Sequence, residues 1–111
     1  MDNPFDYLEK YPGWDDIRAG AYINTDGIQV VWVRDGASRD LIQLATAGLL
    51  CLEAAGPFAR ESNKIDLHLA EYRICARTDA REVRAALVFI RGAPVLKSVN
   101  RVMRLFLKAV P

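Results

Sequence analysis

Few side chains in this sequence can do chemistry, and they do not fall at the spacings of an active site. His68 is the only histidine, and no nucleophile or orienting carboxylate is recognisable beside it. Cys51 and Cys75 have neither the spacing of metal ligands nor the density of a disulfide scaffold, so we interpret both as small buried side chains. We therefore predict a protein without catalytic residues, metal or cofactor, in a reducing cytoplasm. An enzyme that uses His68 or Cys75 is the alternative that these two residues leave open.

The composition argues against several classes of function. The chain has 111 residues, 51% of them hydrophobic, which suits one globular domain. We divide it into an N-terminal helical segment, residues 1–18, and a core, residues 19–111. The net charge of +1 argues against nucleic acid as a partner, because binding to phosphates needs a clear basic excess. No apolar run approaches the roughly 20 residues that span a bilayer, so we predict no integral membrane association.

The clearest charged pattern lies in the last predicted helix, Val95 to Val110. Its apolar residues form one stripe at helical spacing, and four cations line the opposite side: Lys97, Arg101, Arg104 and Lys108. A solvated helix face has this pattern, and so does a surface for an acidic protein partner or an anionic membrane. Four charges without aromatic insertion make only a weak membrane helix, so we name the four cations as candidate partner-binding residues.

The scaffold that positions these residues is organised around a helix predicted from Leu41 to Ala55, with Ser38 or Asp40 as its cap. One stripe of this helix is apolar: Leu41, Ala45, Gly48 and Leu52. The opposite side is largely apolar too, since Leu50 lies there and no charge precedes Glu53. Such a helix favours burial on two sides, against a sheet of its own chain and against a second copy.

Two strands joined by a tight turn are predicted before this helix. Gly20 to Asn24 is followed by the turn signal Thr25-Asp26-Gly27, and Ile28 to Arg34 forms the returning strand. The returning strand is apolar on one face and nearly so on the other. A strand of this kind is either covered on both faces or lies at a contact with a partner.

The N-terminal segment is predicted to be helical in two pieces. Asn3 is the expected N-cap of a short helix from Pro4 to Lys10, which ends at Tyr11-Pro12-Gly13. Pro12 to Arg18 is predicted to form one further turn. The apolar anchors of the segment are Phe5, Leu8, Trp14 and Ile17.

The remaining pattern completes an α/β sandwich. The alternation that begins at Ile65 changes phase near Ala70-Glu71, which predicts a bulge, a kink or two separate strands. Val83 to Ile90 has the apolar character of a strand in the interior of a sheet. The predicted order is α-β-β-α-β-(β)-β-α, with four or five mostly antiparallel strands and two main helices.

Three stretches together resemble the Roadblock/dynein-light-chain domains, especially the small bacterial ones that regulate Ras-like GTPases. The first stretch, AYINTDGIQVVW, resembles the family's first hairpin. The second, LATAGLLCLEAAGPFARE, resembles its central helix with a following Gly-x-x-Ala element. The third, VRAALVFIRGAPVLKSVNRVMRLFLKAV, resembles its last strand and C-terminal helix. These stretches cover most of residues 20 to 110. The resemblance implies a Roadblock/profilin-like sandwich that has no catalytic residues of its own and acts by binding.

The resemblance also implies a homodimer, in which the second strands of two protomers pair edge to edge and the central helices meet near the two-fold axis. These are the two elements that carry surplus apolar residues here. The expected partners are a second copy of the chain and a small GTPase, with a scaffold as a variant of the same role. The predicted dimer contact consists of Val31, Trp32, Val33, Ala47, Leu50 and Cys51.

A small-molecule sensor domain on a related α/β sandwich is the alternative function. Its pocket would lie between the sheet and the helices, and its lining would come from Tyr22, Trp32 and Phe89.

Overall fold

The computed structural model describes residues 4–10, 13–56, 64–92 and 96–111, with side chains from residue 98 onward in the last range. These residues form three helices, a 3-10 turn at Trp14–Asp16 and five strands. Their order is α1 (Pro4–Leu8), β1 (Ile17–Ile23), β2 (Gln29–Val33), α2 (Leu41–Ala55), β3 (Lys64–His68), β4 (Tyr72–Thr78), β5 (Arg84–Ile90) and α3 (Leu96–Ala109).

The five strands form one sheet in the order β2-β1-β5-β4-β3, and all neighbouring strands are antiparallel. The predicted α/β sandwich is confirmed, with five strands. β5 lies at the centre, and its residues from Ala85 to Phe89 are buried, as the apolar sequence predicted. β2 and β3 are the edges, so each has one side without a strand partner among the described residues.

The face of the sheet beneath α2 is built from small residues. Alanines of β1, β4 and β5 are fully buried there: Ala19, Ala21, Ala76 and Ala86. They allow α2 to approach the sheet closely. A Cβ added to Gly48 would lie 2.8 Å from Ile74 Cγ2 and 3.3 Å from Ala86 Cβ, so the packing requires glycine at this position.

The opposite face carries a larger, aromatic core covered by α1 and α3. The Phe106 ring centroid lies 4.9 Å from that of Phe5 and 5.9 Å from that of Tyr22. The Phe5 ring also stacks on Trp32 at 5.2 Å. Phe5 and Leu8 are buried, as predicted, so the N-terminal helix contributes directly to this core.

Two boundary predictions are wrong. β1 begins at Ile17 and not at Gly20, because β5 pairs with Ile17 and the Arg34 amide donates to the Arg18 carbonyl. Neither predicted side chain caps α2. Asp40 occupies the N-cap position in a helical conformation without a side-chain capping bond, and the Ser38 hydroxyl accepts instead from the Asp40 amide.

The phase change near Ala70-Glu71 marks two separate strands, which was one of the predicted outcomes. β3 ends at His68 and β4 begins at Tyr72, and the turn between them is closed by the Leu69 amide donating to the Tyr72 carbonyl. The predictions for Asn3, Pro12, Val95 and the stretch from 57 to 63 concern residues outside those described.

Candidate interaction surfaces

The central helix α2 contacts the sheet along one stripe and faces β2 along one flank. Gln29 Nε2 on β2 donates to Thr46 Oγ1 at 3.4 Å, so the flank that carries Thr46 faces β2. Gly48 lies in the stripe that contacts the sheet, where it packs on Ile74 of β4 and Ala86 of β5. Leu50 lies about 180° around the helix from Leu41, on the side away from the sheet, and Cys51 lies on the flank opposite Thr46.

The outer surface of α2 is apolar and open to solvent. Leu50 is 60% exposed, more than any other large hydrophobic side chain in the described part of the chain. Cys51 and Ala54 are exposed as well, and Ala47 is half-buried. The interpretation of both cysteines as buried is therefore wrong for Cys51, which lies outside the stripe that contacts the sheet.

The side chains of β2 alternate between the two faces of the sheet. Val31 is 43% exposed and Val33 is half-buried, and both lie on the α2 side. Trp32 lies on the opposite side, where its ring is 5.2 Å from that of Trp14. The structure thus places Val31 and Val33 on the α2 side of the sheet and Leu50 on the outer side of α2, while Trp32 packs against the other core.

Three of the four predicted partner-binding cations are exposed on α3. Arg101, Arg104 and Lys108 form a stripe at helical spacing on the side away from the aromatic core. The side chain of Lys97 is outside those described. The predicted amphipathic division of α3 is confirmed by the buried residues on its inner side: Val99, Val102, Met103, Phe106 and Val110.

A buried polar network ties α3 to the sheet. The Arg77 side chain is only 5% exposed. Its Nη1 lies 3.1 Å from Asp66 Oδ1, and its Nη2 donates to Asn100 Oδ1 at 3.1 Å. Nη1 also donates to the carbonyls of Ile65 and Ala76. The guanidinium therefore links β3, β4 and α3 through one rigid donor group.

Sequence reasoning missed this network because strand alternation places Arg77 in the same phase as Glu71, which is exposed. Strand pairing sets Asp66 opposite Cys75, two residues from Arg77 on the same face. The signal for this ion pair in the sequence was an acidic residue in β3, Asp66, and a basic residue in β4, Arg77. It becomes informative only once the register of these two strands is known.

The network also determines the chemistry of Cys75, which is fully buried. Burial and a hydrogen bond to Asp66 raise the pKa of the Cys75 thiol to about 12. Burial acts to raise the pKa of Asp66, but hydrogen bonds from Cys75 and Arg77 outweigh it and lower that pKa. A thiol that is buried and protonated is a poor nucleophile, so the arrangement disfavours catalysis by Cys75. His68 lies exposed on edge strand β3.

The residues expected to line a sensor pocket instead fill the core. Tyr22 is 6% exposed and Phe89 is 1% exposed, and Trp32 stacks on Phe5. The predicted pocket is wrong at these positions, because α1 and α3 bring aromatic rings into that space. A different cavity, of about 310 Å³, lies between α3 and the β3–β4 pair. It is lined by Lys64, Arg77, Thr78, Asp79, Asn100, Met103, Arg104 and Leu107.

Neither a metal centre nor a membrane-spanning helix is found among the described residues. No group of three or more His, Cys, Asp or Glu side chains is placed there to hold a metal ion. None of the described helices combines the length and the apolar character that crossing a bilayer requires.

No protein-family model and no curated protein sequence matches the chain. Solved structures do. A Roadblock/LC7 domain from Streptomyces avermitilis is 15% identical, with a TM-score of 0.66 over 98% of this chain and 92% of the other. The gliding protein MglB from Thermus thermophilus is 16% identical, with a TM-score of 0.67 over 99% and 93%. An MglB described with a tetrameric arrangement is 14% identical, with a TM-score of 0.53 over 99% and 95%. The chain therefore has the Roadblock/LC7 fold.

Proposed function

We propose that this protein is a non-catalytic, homodimeric interaction module that binds and regulates a small Ras-like GTPase. The single observation that carries the dimer is the apolar surface left open on two neighbouring elements, Leu50 on α2 and Val31 on β2. Association with a second copy would remove these side chains from water. The tetrameric arrangement of one MglB of the same fold supports self-association.

The proposed contact uses the β2 edge and the adjoining flank of α2. The two edge strands differ in their protection. β3 carries Lys64, Asp66 and His68, and charged side chains on an edge disfavour pairing with another strand. β2 carries only Gln29 as a polar residue, with Val31 exposed beside it. The β2 edge is therefore the better candidate for pairing, with its free backbone groups bonding to those of the second copy.

Of the six residues predicted for this contact, we propose that Val31, Val33, Ala47 and Leu50 contact the second copy through their side chains. Trp32 would contribute through its backbone, since its side chain is in the core. Cys51 would be reached only where the two α2 helices cross near the two-fold axis.

Sedimentation velocity tests the dimer. We expect the wild type to sediment as a dimer at tens of micromolar, roughly the range that a modest buried interface reaches. Val31→Arg combined with Leu50→Glu should give a monomer with a native circular dichroism spectrum, because both side chains are already exposed. Leu69→Glu is the matched control, since Leu69 is 40% exposed but follows β3.

Two results would contradict the proposal. A monomeric wild type at these concentrations would remove the dimer altogether. If Leu69→Glu dissociated the dimer and the double variant did not, the contact would lie at the β3 edge.

For the GTPase partner we propose the basic stripe of α3 as the contact surface. Arg101, Arg104 and Lys108 would face acidic residues of the partner, which would make association sensitive to ionic strength. The proposal that the partner is a GTPase rests on the sequence resemblance and on the fold shared with gliding protein MglB.

A pull-down read by mass spectrometry, followed by a GTP hydrolysis assay with the purified partner, tests this proposal. We expect a small GTPase to be captured by the wild type and lost from Arg101→Glu combined with Lys108→Glu. Lys10→Glu combined with Arg91→Glu is the control, because it makes the same change of charge at exposed positions outside α2 and α3. If the double variant captured as much GTPase as the wild type, the contact would not lie on this surface. If the wild-type protein left the GTP hydrolysis rate of the partner unchanged, it would not regulate that partner's hydrolysis.

A further inference from the structure

The cavity between α3 and the β3–β4 pair combines apolar and polar walls. Its volume of about 310 Å³ lies at the small end of ligand sites in proteins. Met103 and Leu107 line it from α3, and both belong to the aromatic core. Asn100 and Thr78 add an amide and a hydroxyl. This mixture is typical of a site that holds a small molecule with one apolar part and one polar part.

The charged groups around the cavity are predominantly cationic. Lys64, Arg77 and Arg104 line it, together with the carboxylate of Asp79. That carboxylate is already neutralised, because Arg81 Nη2 lies 2.9 Å from Asp79 Oδ2. Lys64 and Arg104 are exposed, and neither has an ion pair within the described part of the chain. The cavity therefore presents two positive charges that are free to pair with a ligand.

Arg77 makes the cationic wall rigid. Its guanidinium is held by Asp66, Asn100 and two backbone carbonyls, and the side chain is buried. A group fixed in this way loses little conformational entropy when a ligand binds. Arg104 follows Asn100 by one helical turn, so α3 places this free cation directly beside the fixed network.

We propose that this cavity binds a small molecule that carries a compact dianion, such as a phosphate monoester, next to a short apolar group. Lys64 and Arg104 pair with the two negative charges, and Met103 and Leu107 contact the apolar part. The site lies on the opposite side of the sheet from α2, so it stays accessible in a dimer formed through β2 and α2. The proposal does not depend on the proposed function.

Titration of the 15N-labelled full chain, followed by two-dimensional NMR, tests the site. Phenyl phosphate supplies both features of the proposed ligand, inorganic phosphate supplies only the anion, and benzyl alcohol supplies only the apolar ring. We expect phenyl phosphate to shift the amide signals of Arg77, Asn100 and Leu107, and to bind more tightly than either fragment. Binding should weaken at high salt, because it depends on ion pairing.

Variants separate this site from general attraction to a basic surface. Arg104→Gln or Lys64→Gln should weaken phenyl phosphate binding about tenfold, as expected for the loss of one charge-assisted hydrogen bond. Lys108→Gln is the matched control: it lies one turn further along the same stripe and does not line the cavity. All three side chains are exposed, so the variants should fold. An absence of shifts at the cavity, or equal weakening by Lys108→Gln, would overturn the proposal, and so would unchanged binding by Arg104→Gln.

Discussion

The two faces of the sheet are packed with different side chains, and the difference separates the two candidate surfaces. Under α3 lie large aromatic and aliphatic residues, and the apolar stripe of α3 from Val99 to Val110 is buried against them. Under α2 lie four fully buried alanines among larger aliphatic residues, with Gly48 at the point of closest approach. The sheet covers only the stripe of α2 that faces it. Leu50 is therefore left on the outside, whereas the outside of α3 carries cations.

This comparison indicates that exposed apolar surface and exposed charge have different origins here. The charge on α3 follows from its amphipathic sequence and would be present in any fold that buries the helix. The apolar surface on α2 exists because Leu50 lies on the side of the helix opposite the stripe that contacts the sheet. We therefore expect the α2 face to serve a contact that buries area, and the α3 face to serve contacts that depend on salt.

Phe106→Ala should show the largest effect, because it removes a fully buried ring from the aromatic core under α3. We expect the free energy of unfolding to fall by about 3–5 kcal/mol, measured by chemical denaturation. Leu50→Ala on the outer side of α2 is the comparison and should change the free energy of unfolding of the monomer by no more than about 0.5 kcal/mol. Equal losses for the two variants would show that Leu50 is not exposed in the folded monomer as described.

Gly48→Val tests the close approach of α2 to the sheet. The new side chain would meet Ile74 and Ala86, which are held by neighbouring strands, so we expect a loss of about 1–3 kcal/mol in the free energy of unfolding. Gly56→Ala is the control, because a Cβ added there would meet nothing within 4 Å and the backbone is helical. A neutral result at position 48 would mean that α2 can move away from the sheet without cost.

At neutral pH Cys75 should have the smallest effect, because its contribution to stability changes only at alkaline pH. Folding raises the pKa of its thiol from 9.0 to about 12, so the folded state retains a proton that the unfolded state has lost. Stability should therefore be complete below pH 9.0 and fall between pH 9.0 and about 12, by at most about 1.4 kcal/mol per pH unit.

The measurement is the difference in alkaline denaturation between the wild type and Cys75→Ser, which keeps a hydroxyl donor that does not titrate in this range. Tyr22, whose pKa is also raised by burial, is present in both proteins, so its contribution cancels. Identical pH profiles would show that burial and the hydrogen bond to Asp66 do not raise the pKa of the thiol.

Periodicity was a reliable guide for elements whose pattern is set by one face. The bounds of α2 from Leu41 to Ala55 and the buried stripe of α3 were predicted from spacing alone, as was the interruption between β3 and β4. The start of β1 was not predicted from spacing, because Ile17 and Arg18 become strand residues only through hydrogen bonds with distant segments. The pocket expected at Tyr22 and Phe89 failed for the same reason, since sequence spacing does not show which rings from other elements will fill a space.

The sequence by itself determined the α/β order, the surplus of apolar residues on α2 and β2, and the cationic stripe of α3, because each of these depends on residues close together in the chain. Only the tertiary structure decided that Trp32 packs against Phe5 while Val31 stays exposed on the α2 side, and that Arg77 is buried with Asp66 and Asn100 beside a cavity. These arrangements depend on strand order and register, which bring together residues far apart in the chain.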